Sequence, residues 1–180
     1  MVFAYEDAVN QYGSLYKVKK AVQNGQLFKL APGLYASTAT ASSIDCLMVR
    51  HKEAIFTMDS AFYFLGLTDV VPEQMHLATG RHMTRIKEPG VMQYFESANY
   101  YGVGKVDMIY NGAPIRCYDQ ERMLLELARH RNKLAFDYYK EIVQSYRRLK
   151  EDIDFAKLED YINIIQSRTD FYEVLKREIF

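Results

Sequence analysis

Three lysines and several hydrogen-bonding side chains lie close together near the start of the chain. Lys17, Lys19 and Lys20 carry positive charge, and residues 13–35 contain no acid. Such side chains attract phosphate groups because binding releases the counterions condensed on a nucleic acid. The neighbouring polar side chains, which can reach phosphates or base edges, are Ser14, Tyr16, Gln23 and Asn24. The pattern predicts contact with DNA, although a solvated lysine-rich surface is an equally supported interpretation on charge alone.

A second basic group follows a short apolar run in the middle of the chain. It consists of Arg81, His82, Arg85 and Lys87. A solvated loop is the simpler interpretation, and a surface that binds an anion or a partner is the alternative.

Patterns typical of catalysis or cofactor binding are absent from the sequence. The four histidines lack the close spacings that bring ligands to one metal ion. Gly102 and Gly104 lack the third glycine and the context of a dinucleotide site. Carboxylates in the last third alternate with bases at the spacing of helix-face pairs. We therefore expect a protein without enzymatic activity, with no catalytic residue, no metal and no cofactor.

The lysines are expected on a short helix that is bounded by local signals. Ser14 is the predicted N-cap, and the helix should run to about Asn24, with Gly25 just beyond its end. The predicted core stripe is Leu15, Val18 and Val22, beside Ala21, which places Lys17 and Lys20 opposite and Lys19 at the flank. An earlier helix is predicted over residues 3–12, ending at Gly13.

A hairpin is predicted directly after this helix. Its apolar strands cover residues 27–30 and 34–36 and are joined by Ala31-Pro32-Gly33. A basic helix followed by a hairpin is the arrangement of a winged helix-turn-helix, in which one helix enters the major groove.

The remaining sequence predicts an α+β protein with a larger second domain. We expect the winged helix-turn-helix at residues 1–37, a linker at 38–43 and a C-terminal domain at 44–180. The sheet of this domain is expected to be mixed and mostly antiparallel over 44–118, followed by helices over 119–180. Predicted strands cover 54–57, 74–79, 91–95, 106–110 and 114–118, with a helix at 59–65 and an N-cap at Asp119.

Overall composition indicates a folded protein of the reducing cytoplasm. The chain has 180 residues with 23 basic and 23 acidic side chains, so its formal net charge is zero. Cys46 and Cys117 are expected to be buried free thiols rather than a disulfide framework. Neither a signal peptide nor an apolar run long enough to span a membrane is present. Neutrality alone argues against DNA binding, but the lysine segment concentrates positive charge locally.

Three segments together resemble the AbiE-type abortive-infection antitoxins, the antitoxin half of type IV toxin-antitoxin systems. They are GSLYKVKKAVQNGQLFKLAPGLYAS at 13–37, AIFTMDSAFYFLGLTDVVPEQMHLATGR at 54–81 and YDQERMLLELARHRNK at 118–133. The resemblance continues through residues 137–148 and implies a winged helix-turn-helix joined to an antitoxin domain. It also implies repression of the protein's own operon at inverted repeats in promoter DNA, with two copies expected to meet on the operator.

The resemblance also suggests roles for particular residues. It makes Ser14 to Asn24 the helix offered to DNA, with Lys17, Lys19 and Lys20 on phosphates. It makes Lys29 to Gly33 the wing. It assigns scaffold positions to Ser60, Ala61, Gly66, Leu67, Glu121 and Arg122, and Met123 replaces the usual threonine.

The implied functional partner is a nucleotidyltransferase-like toxin, and direct binding to it stays open. The alternative hypothesis is a protein-interaction module that neutralises a toxin by direct binding, without contact to DNA. An enzyme acting on RNA is a third hypothesis, and it would need converging carboxylates beside a basic cleft.

Overall fold

Two units make up the mixed α+β structure, a computed structural model that describes residues 1–165 and 171–179. The first unit contains Met1–Glu53 and Ile109–Ile115, and the second contains Ala54–Met108 and the chain from Arg116 onward. The first unit thus extends past the predicted linker at 38–43. The division into independent domains at that linker stays a prediction.

The first unit combines three helices with a small sheet. The helices are α1 (Tyr5–Tyr12), α2 (Leu15–Gln23) and α3 (Ser43–Arg50), and the strands are β1 (Val2–Ala4), β2 (Phe28–Ala31) and β3 (Leu34–Ala36). The strand order is β1-β3-β2, and both pairs are antiparallel. The predicted second helix and hairpin are confirmed.

Two features at the ends of this unit differ from the prediction. The helix predicted over residues 3–12 begins only at Tyr5, because Val2–Ala4 pair with β3 as an edge strand. Helix α3 was not predicted, although Ser42 caps it by accepting a hydrogen bond from the Ile44 N–H. Both elements depend on contacts with distant residues, since α3 packs against β1.

The second unit is built around a five-stranded sheet, although the hairpin end at Ile109–Ile115 is assigned to the first unit. Its strands are β4 (Ile55–Phe56), β5 (Met75–Gly80), β6 (Val91–Glu96), β7 (Lys105–Tyr110) and β8 (Ala113–Tyr118), in the order β6-β5-β4-β8-β7. Helix α4 (Met58–Phe64) follows β4, and α5 (Ala98–Tyr101), which was not predicted, precedes β7. The predicted positions of the strands are confirmed.

The directions of the strands only partly follow the prediction. β4 pairs with β5 in the antiparallel direction. β5 pairs with β6, and β4 with β8, in the parallel direction. The sheet is therefore mixed, and the prediction that it is mostly antiparallel is wrong. The error arose at residues 81–90, which lead back across the sheet so that β6 starts at the same end as β5.

Helices dominate the last third of the described chain, as predicted. They are α6 (Gln120–His130), α7 (Phe136–Arg148), a short 3₁₀ turn (Lys150–Asp152), α8 (Phe155–Ile165) and α9 (Phe171–Glu178). The predicted helical range also includes residues 166–170 and 180, which lie outside the described residues. Helix α6 is the central element, because it is buried all round from Glu121 to Ala128 and packs against α4, α8 and α9.

Burial of α6 places charged groups in the protein interior. Arg122 is fully buried, with its guanidinium 2.8 Å from Glu126 and a second N–H donating to the Val103 carbonyl. The predicted N-cap is confirmed, since Asp119 accepts a hydrogen bond from the Arg122 N–H at 2.9 Å. Gly104 has φ +76, and a Cβ on it would lie 2.4 Å from the Arg122 Cβ. The glycine therefore permits the close approach of this loop to the buried arginine.

Both cysteines are free thiols, as predicted, but their environments differ. Cys117 is buried in β8, and burial raises the pKa of its thiol, whereas Cys46 in α3 is only half-buried. The prediction that both are buried is therefore wrong for Cys46. Within the described ranges, no helix is long and apolar enough to cross a membrane.

Candidate nucleic-acid interface

A tight turn between α1 and α2 sets the direction of the lysine-bearing helix. Gly13 ends α1 with φ 82, and its N–H donates to the Val9 carbonyl. Ser14 follows in an extended conformation, and its hydroxyl accepts a hydrogen bond from the Lys17 N–H at 3.3 Å. Glycine tolerates the left-handed conformation, and serine satisfies a backbone donor that the first helical turn leaves free.

The core of the first unit determines which side of α2 is exposed. Val18 and Ala21 are buried in a cluster with Ala8 of α1, Leu27 and Tyr35. Val22 packs at the edge of this cluster, whereas Leu15, predicted in the core stripe, is 38% exposed. Leu15 lies in the first turn of α2, at the edge of this core.

Opposite this core, α2 presents a polar surface. At about 100° per residue, Lys19 and Lys20 fall on the side opposite Val18 and Ala21. The other exposed members of this lysine face are Tyr16 and Gln23, with Tyr16 74% exposed. The sequence predicts Lys17 on this side and Lys19 at its flank; all three lysines are exposed, and measured from Val18 and Ala21 alone Lys17 lies nearer to the core than Lys19.

Lys17 occupies the flank of the lysine face. Its Nζ lies 3.8 Å from the position that a Cβ on Gly13 would occupy, so the side chain extends back over the turn between the helices. Asn24 is the C-cap of α2 and is exposed, while Ser14 is partly buried. The Ser14 hydroxyl accepts a hydrogen bond, which leaves its proton available for donation.

The hairpin after α2 carries the two remaining predicted contact residues. β2 and β3 pair through Ala31 and Leu34, and Pro32 and Gly33 form the exposed turn between them. Gly33 has φ +74, which the third position of a type II turn requires. Lys29 is exposed on β2, just before an irregularity in the pairing between Lys29 and Ala31.

Uncompensated positive charge distinguishes this part of the first unit. Among the described residues, Lys17, Lys19, Lys20 and Lys29 have no acidic partner. By contrast, Lys52 lies 3.1 Å from Asp7, so this pair neutralises an acid at the start of α1. The positive potential of α2 is therefore not cancelled by an ion pair, and an incoming polyanion would meet it directly.

Replacing Ser14 by alanine is expected to lower the free energy of unfolding by about 1 kcal/mol. The substitution removes the acceptor for the Lys17 N–H at the start of α2. Urea unfolding followed by circular dichroism measures this change. Two control variants should each stay within about 0.5 kcal/mol of the original protein in free energy of unfolding. Ser14→Asp keeps a hydrogen-bond acceptor at the cap, and Ser43→Ala changes an exposed serine of α3. Equal stability of Ser14→Ala and the original protein would show that the cap contributes nothing.

The second predicted basic group lies in the second unit, on the connection from β5 to β6. Arg81, Arg85 and Lys87 are all exposed there. Gln93 of β6 holds this connection by donating to the Thr84 carbonyl and accepting from the Ile86 N–H. The basic loop is thus ordered by backbone contacts, and its role as an anion or partner surface stays a prediction.

Sequence reasoning missed a group of polar side chains in the second unit. Asp59 in the first turn of α4 faces His76 of β5, and Tyr94 of β6 contacts the other side of the imidazole. The three residues lie far apart in the sequence and form no recognisable motif, so only the pairing of β4, β5 and β6 brings them together. Among the described residues, no group of three potential metal ligands is arranged to hold an ion.

These observations define an α+β protein with two N-terminal helices on a small sheet, a five-stranded mixed sheet and a helical C-terminal region. The crystal structure of the Rv2827c protein from Mycobacterium tuberculosis has a similar fold, with a TM-score of 0.56 and 15% sequence identity. The similarity covers 91% of this chain and 66% of that chain, so this chain spans just under two thirds of its length. No family model and no curated protein matches the sequence.

Proposed function

We propose that this chain is a cytoplasmic DNA-binding autorepressor and the antitoxin of a type IV toxin-antitoxin system. One observation carries the first half of this proposal. The lysine face of α2 is exposed, has no acidic partner in the described part of the chain and is followed directly by a hairpin. The resemblance of the chain's sequence to AbiE-type antitoxins supports the second half, the antitoxin function.

The order of elements in the first unit favours a winged helix-turn-helix. β1, α1 and α2 are followed by β2 and β3, and β1 completes the sheet by pairing with β3. In this arrangement the second helix of the pair enters the major groove, and the hairpin touches the flanking backbone. Lys19 and Lys20 would contact phosphates, Tyr16 and Gln23 would reach base edges or sugars, and Lys29 would anchor the wing.

Binding of promoter DNA tests the regulatory function. Fluorescence anisotropy should show saturable binding to the DNA upstream of the gene, and tighter binding than to a scrambled fragment of equal length. Inverted repeats should bind two copies, with half-sites about 10 base pairs apart or a multiple of that spacing. Equal affinity for promoter and scrambled DNA would contradict an autorepressor.

The antitoxin function is tested in cells, independently of DNA binding. Co-expression with a nucleotidyltransferase-like protein encoded next to this gene should restore growth that the toxin alone prevents. The double variant Lys19→Ala and Lys20→Ala should lose repression and keep this rescue if neutralisation depends on the second unit. Failure of the original protein to restore growth would contradict the antitoxin role.

Exposed aromatic side chains on the C-terminal helices favour a second candidate function. Phe136 at the start of α7 and Phe155 at the start of α8 are 68% and 53% exposed. Exposed aromatic rings are enriched at protein interfaces, so either helix start suits direct binding of a toxin without DNA contact. Stable co-purification of the neighbouring gene product, together with no binding to promoter DNA, would favour this candidate.

A further inference from the structure

Strand β6 lies at one end of the five-stranded sheet, and within the described residues it pairs with β5 on one side only. It follows β5 in parallel register from Val91 to Glu96 without a bulge. An edge strand of this kind presents backbone N–H and C=O groups with which an extended segment of another chain can pair. The sheet of the second unit can therefore be extended at β6.

Alternate residues of β6 direct their backbone groups away from β5. The carbonyls of Gly90 and Glu96 accept hydrogen bonds at 2.7 and 3.0 Å from N–H groups at the start and just past the end of β5. Because the backbone groups of a strand alternate between its two sides, those of Gln93 and Phe95 point outward. In the part of the chain that the structure describes, these outward groups make no hydrogen bond.

The usual protections of an edge strand are absent from β6. The strand contains no proline, lysine or arginine, and its side chains Met92 and Phe95 are 44% and 43% exposed. The strand at the other end of the sheet, β7, carries the exposed charges of Lys105 and Asp107. Charged side chains on an edge oppose pairing with further strands, so β6 is the edge at which a partner strand is favoured.

The basic loop, residues 81–90, crosses one face of the sheet above β6. Gln93 fixes the middle of the loop, because its side chain donates to the Thr84 carbonyl and accepts from the Ile86 N–H. The same side-chain amide donates to the Thr79 hydroxyl of β5 at 2.7 Å. The loop therefore lies over the face of β5 and β6 rather than along the outer edge of β6.

Three basic side chains of this loop follow the length of β6. Arg81 lies at the end of the strand, since its N–H donates to the Glu96 carbonyl, Arg85 lies above the middle, and Lys87 follows toward the start. All three are exposed, and none forms an ion pair among the described residues. The acid of the strand, Glu96, is mostly buried 3.7 Å from Arg129 of α6 and does not neutralise them.

We propose that the outer edge of β6 binds an extended segment of a protein partner in which acidic and apolar residues alternate. The backbone of the segment would exchange hydrogen bonds with Gln93 and Phe95 and add a strand to the sheet. Its acidic side chains would face Arg85 and Lys87, and its apolar side chains would pack beside Met92 on the other face. This site does not depend on the lysine face of α2 or on DNA binding.

Charge favours this partner over a second copy of the chain. Antiparallel pairing of two β6 strands about a two-fold axis would place both basic loops on the same face of the joined sheet, where their positive charges repel. A nucleic acid would match the charges, but it lacks the regular N–H and C=O groups that pair with Gln93 and Phe95. An acidic extended segment satisfies both the charges and the backbone groups.

Binding of an octapeptide of alternating glutamate and valine to the full chain tests the proposal. Fluorescence anisotropy should show saturable binding of this peptide and none of a peptide with lysine in place of glutamate. Methylation of every interior backbone nitrogen keeps the charges but removes the hydrogen-bond donors, so it should abolish binding. Equal binding of the methylated or the lysine peptide would overturn the proposal, as would displacement of the peptide by a lower concentration of a single-stranded oligonucleotide.

Hydrogen exchange measured by NMR locates the bound peptide. The N–H groups of Gln93 and Phe95 should exchange more slowly in the complex, whereas those of Met92 and Tyr94, which face β5, should change little. Unchanged exchange at Gln93 and Phe95 in the saturated complex would overturn the proposal. Protection of these two groups in a dimer of the free chain would assign the edge to a second copy and overturn it as well.

A pair of charge variants tests the contribution of the basic loop. Arg85→Ala combined with Lys87→Ala changes two exposed side chains and should weaken binding of the acidic peptide about fivefold. Lys105→Ala combined with Lys133→Ala removes the same charge from exposed positions outside the loop and should leave the affinity unchanged. An equal loss of affinity in the two double variants would contradict pairing between the basic loop and the acidic side chains.

Discussion

Replacing Lys19 and Lys20 by alanine is expected to weaken binding to promoter DNA about 50-fold at 0.1 M salt. Each phosphate contact contributes about 0.9 to the slope of log K against log salt. For each lysine, the binding constant therefore gains about eightfold when the salt concentration falls from 1 M to 0.1 M. Both side chains lie on the exposed face of α2, have no acidic partner among the described residues and are free to reach a phosphate. Fluorescence anisotropy across a series of salt concentrations measures both the affinity and the slope.

The salt dependence separates this interpretation from a general loss of folding. The slope should fall by about two units in the double variant, whereas unfolding would remove binding without this change. Lys17→Ala should have a smaller effect than either single substitution, because Lys17 lies at the flank of the face and extends back over Gly13.

A matched control removes the same charge elsewhere. Lys105→Ala combined with Lys133→Ala changes two exposed lysines of the second unit. Specific binding should change less than threefold in this control, since these positions lie outside the proposed interface. If the control weakens binding as much as the double variant on α2, the lysine face is not the DNA-binding surface.

Replacing Glu126 by glutamine is expected to reduce the free energy of unfolding by about 3 to 5 kcal/mol. The substitution leaves the fully buried Arg122 without its charged partner, and removal of one member of a buried ion pair is strongly destabilising. Arg129 lies 2.9 Å from the same carboxylate and would keep only its more distant pair with Glu96, at 3.7 Å. Urea unfolding measures the difference. Glu151→Gln serves as the control, because Glu151 forms an exposed pair with Lys150. Its free energy of unfolding should stay within about 0.5 kcal/mol of that of the original protein.

A second variant distinguishes loss of charge balance from loss of packing. Arg122→Met combined with Glu126→Leu removes both charges and keeps apolar volume in the core. It should be less destabilised than Glu126→Gln alone, because no uncompensated charge stays buried. If the double variant is the less stable of the two, the ion pair itself stabilises the fold and the unpaired arginine is not the cause.

The same carboxylate makes stability depend on pH. Burial opposes ionisation of Glu126, but a hydrogen bond from His130 and the charges of Arg122 and Arg129 outweigh it and lower the pKa from 4.5 to about 2. A lowered folded-state pKa contributes stability above about pH 4.5, and this contribution is lost as pH falls toward 2. The original protein should have a higher free energy of unfolding than Glu126→Gln, and this difference should shrink by about 2 kcal/mol between pH 5 and pH 3. A constant difference across this range would show that Glu126 does not titrate in this way.

Short-range signals made the lysine-bearing helix predictable. Ser14 and Gly25 act within one turn of the helix ends, through a side-chain cap and a left-handed glycine, and neither depends on the rest of the chain. The Pro32-Gly33 turn likewise follows from the conformations that these two residues prefer. The positions of most strands were predictable for the same reason, since alternation and turn residues are local.

Long-range pairing explains what could not be predicted in the fold. The backbone of Val2–Ala4 is extended because β3, at Leu34–Ala36, supplies a distant partner strand. Strand direction in the five-stranded sheet depends on how residues 81–90 cross the sheet, and periodicity contains no information about direction. The exposure of Leu15, which the pattern predicts in the core stripe, likewise follows from packing, because the core of the first unit centres on Val18 and Ala21.

By itself, the sequence determined the local elements of this protein and the concentration of lysines on one of them. Caps, turn residues and charges act through neighbours in the chain, so they can be read without a structure. Only the tertiary structure decided the burial of Arg122 with Glu126 and the meeting of Asp59, His76 and Tyr138 at one cleft. The sequence shows that a residue is charged but not whether its side chain lies in water or in the core, because only packing removes the water from around it.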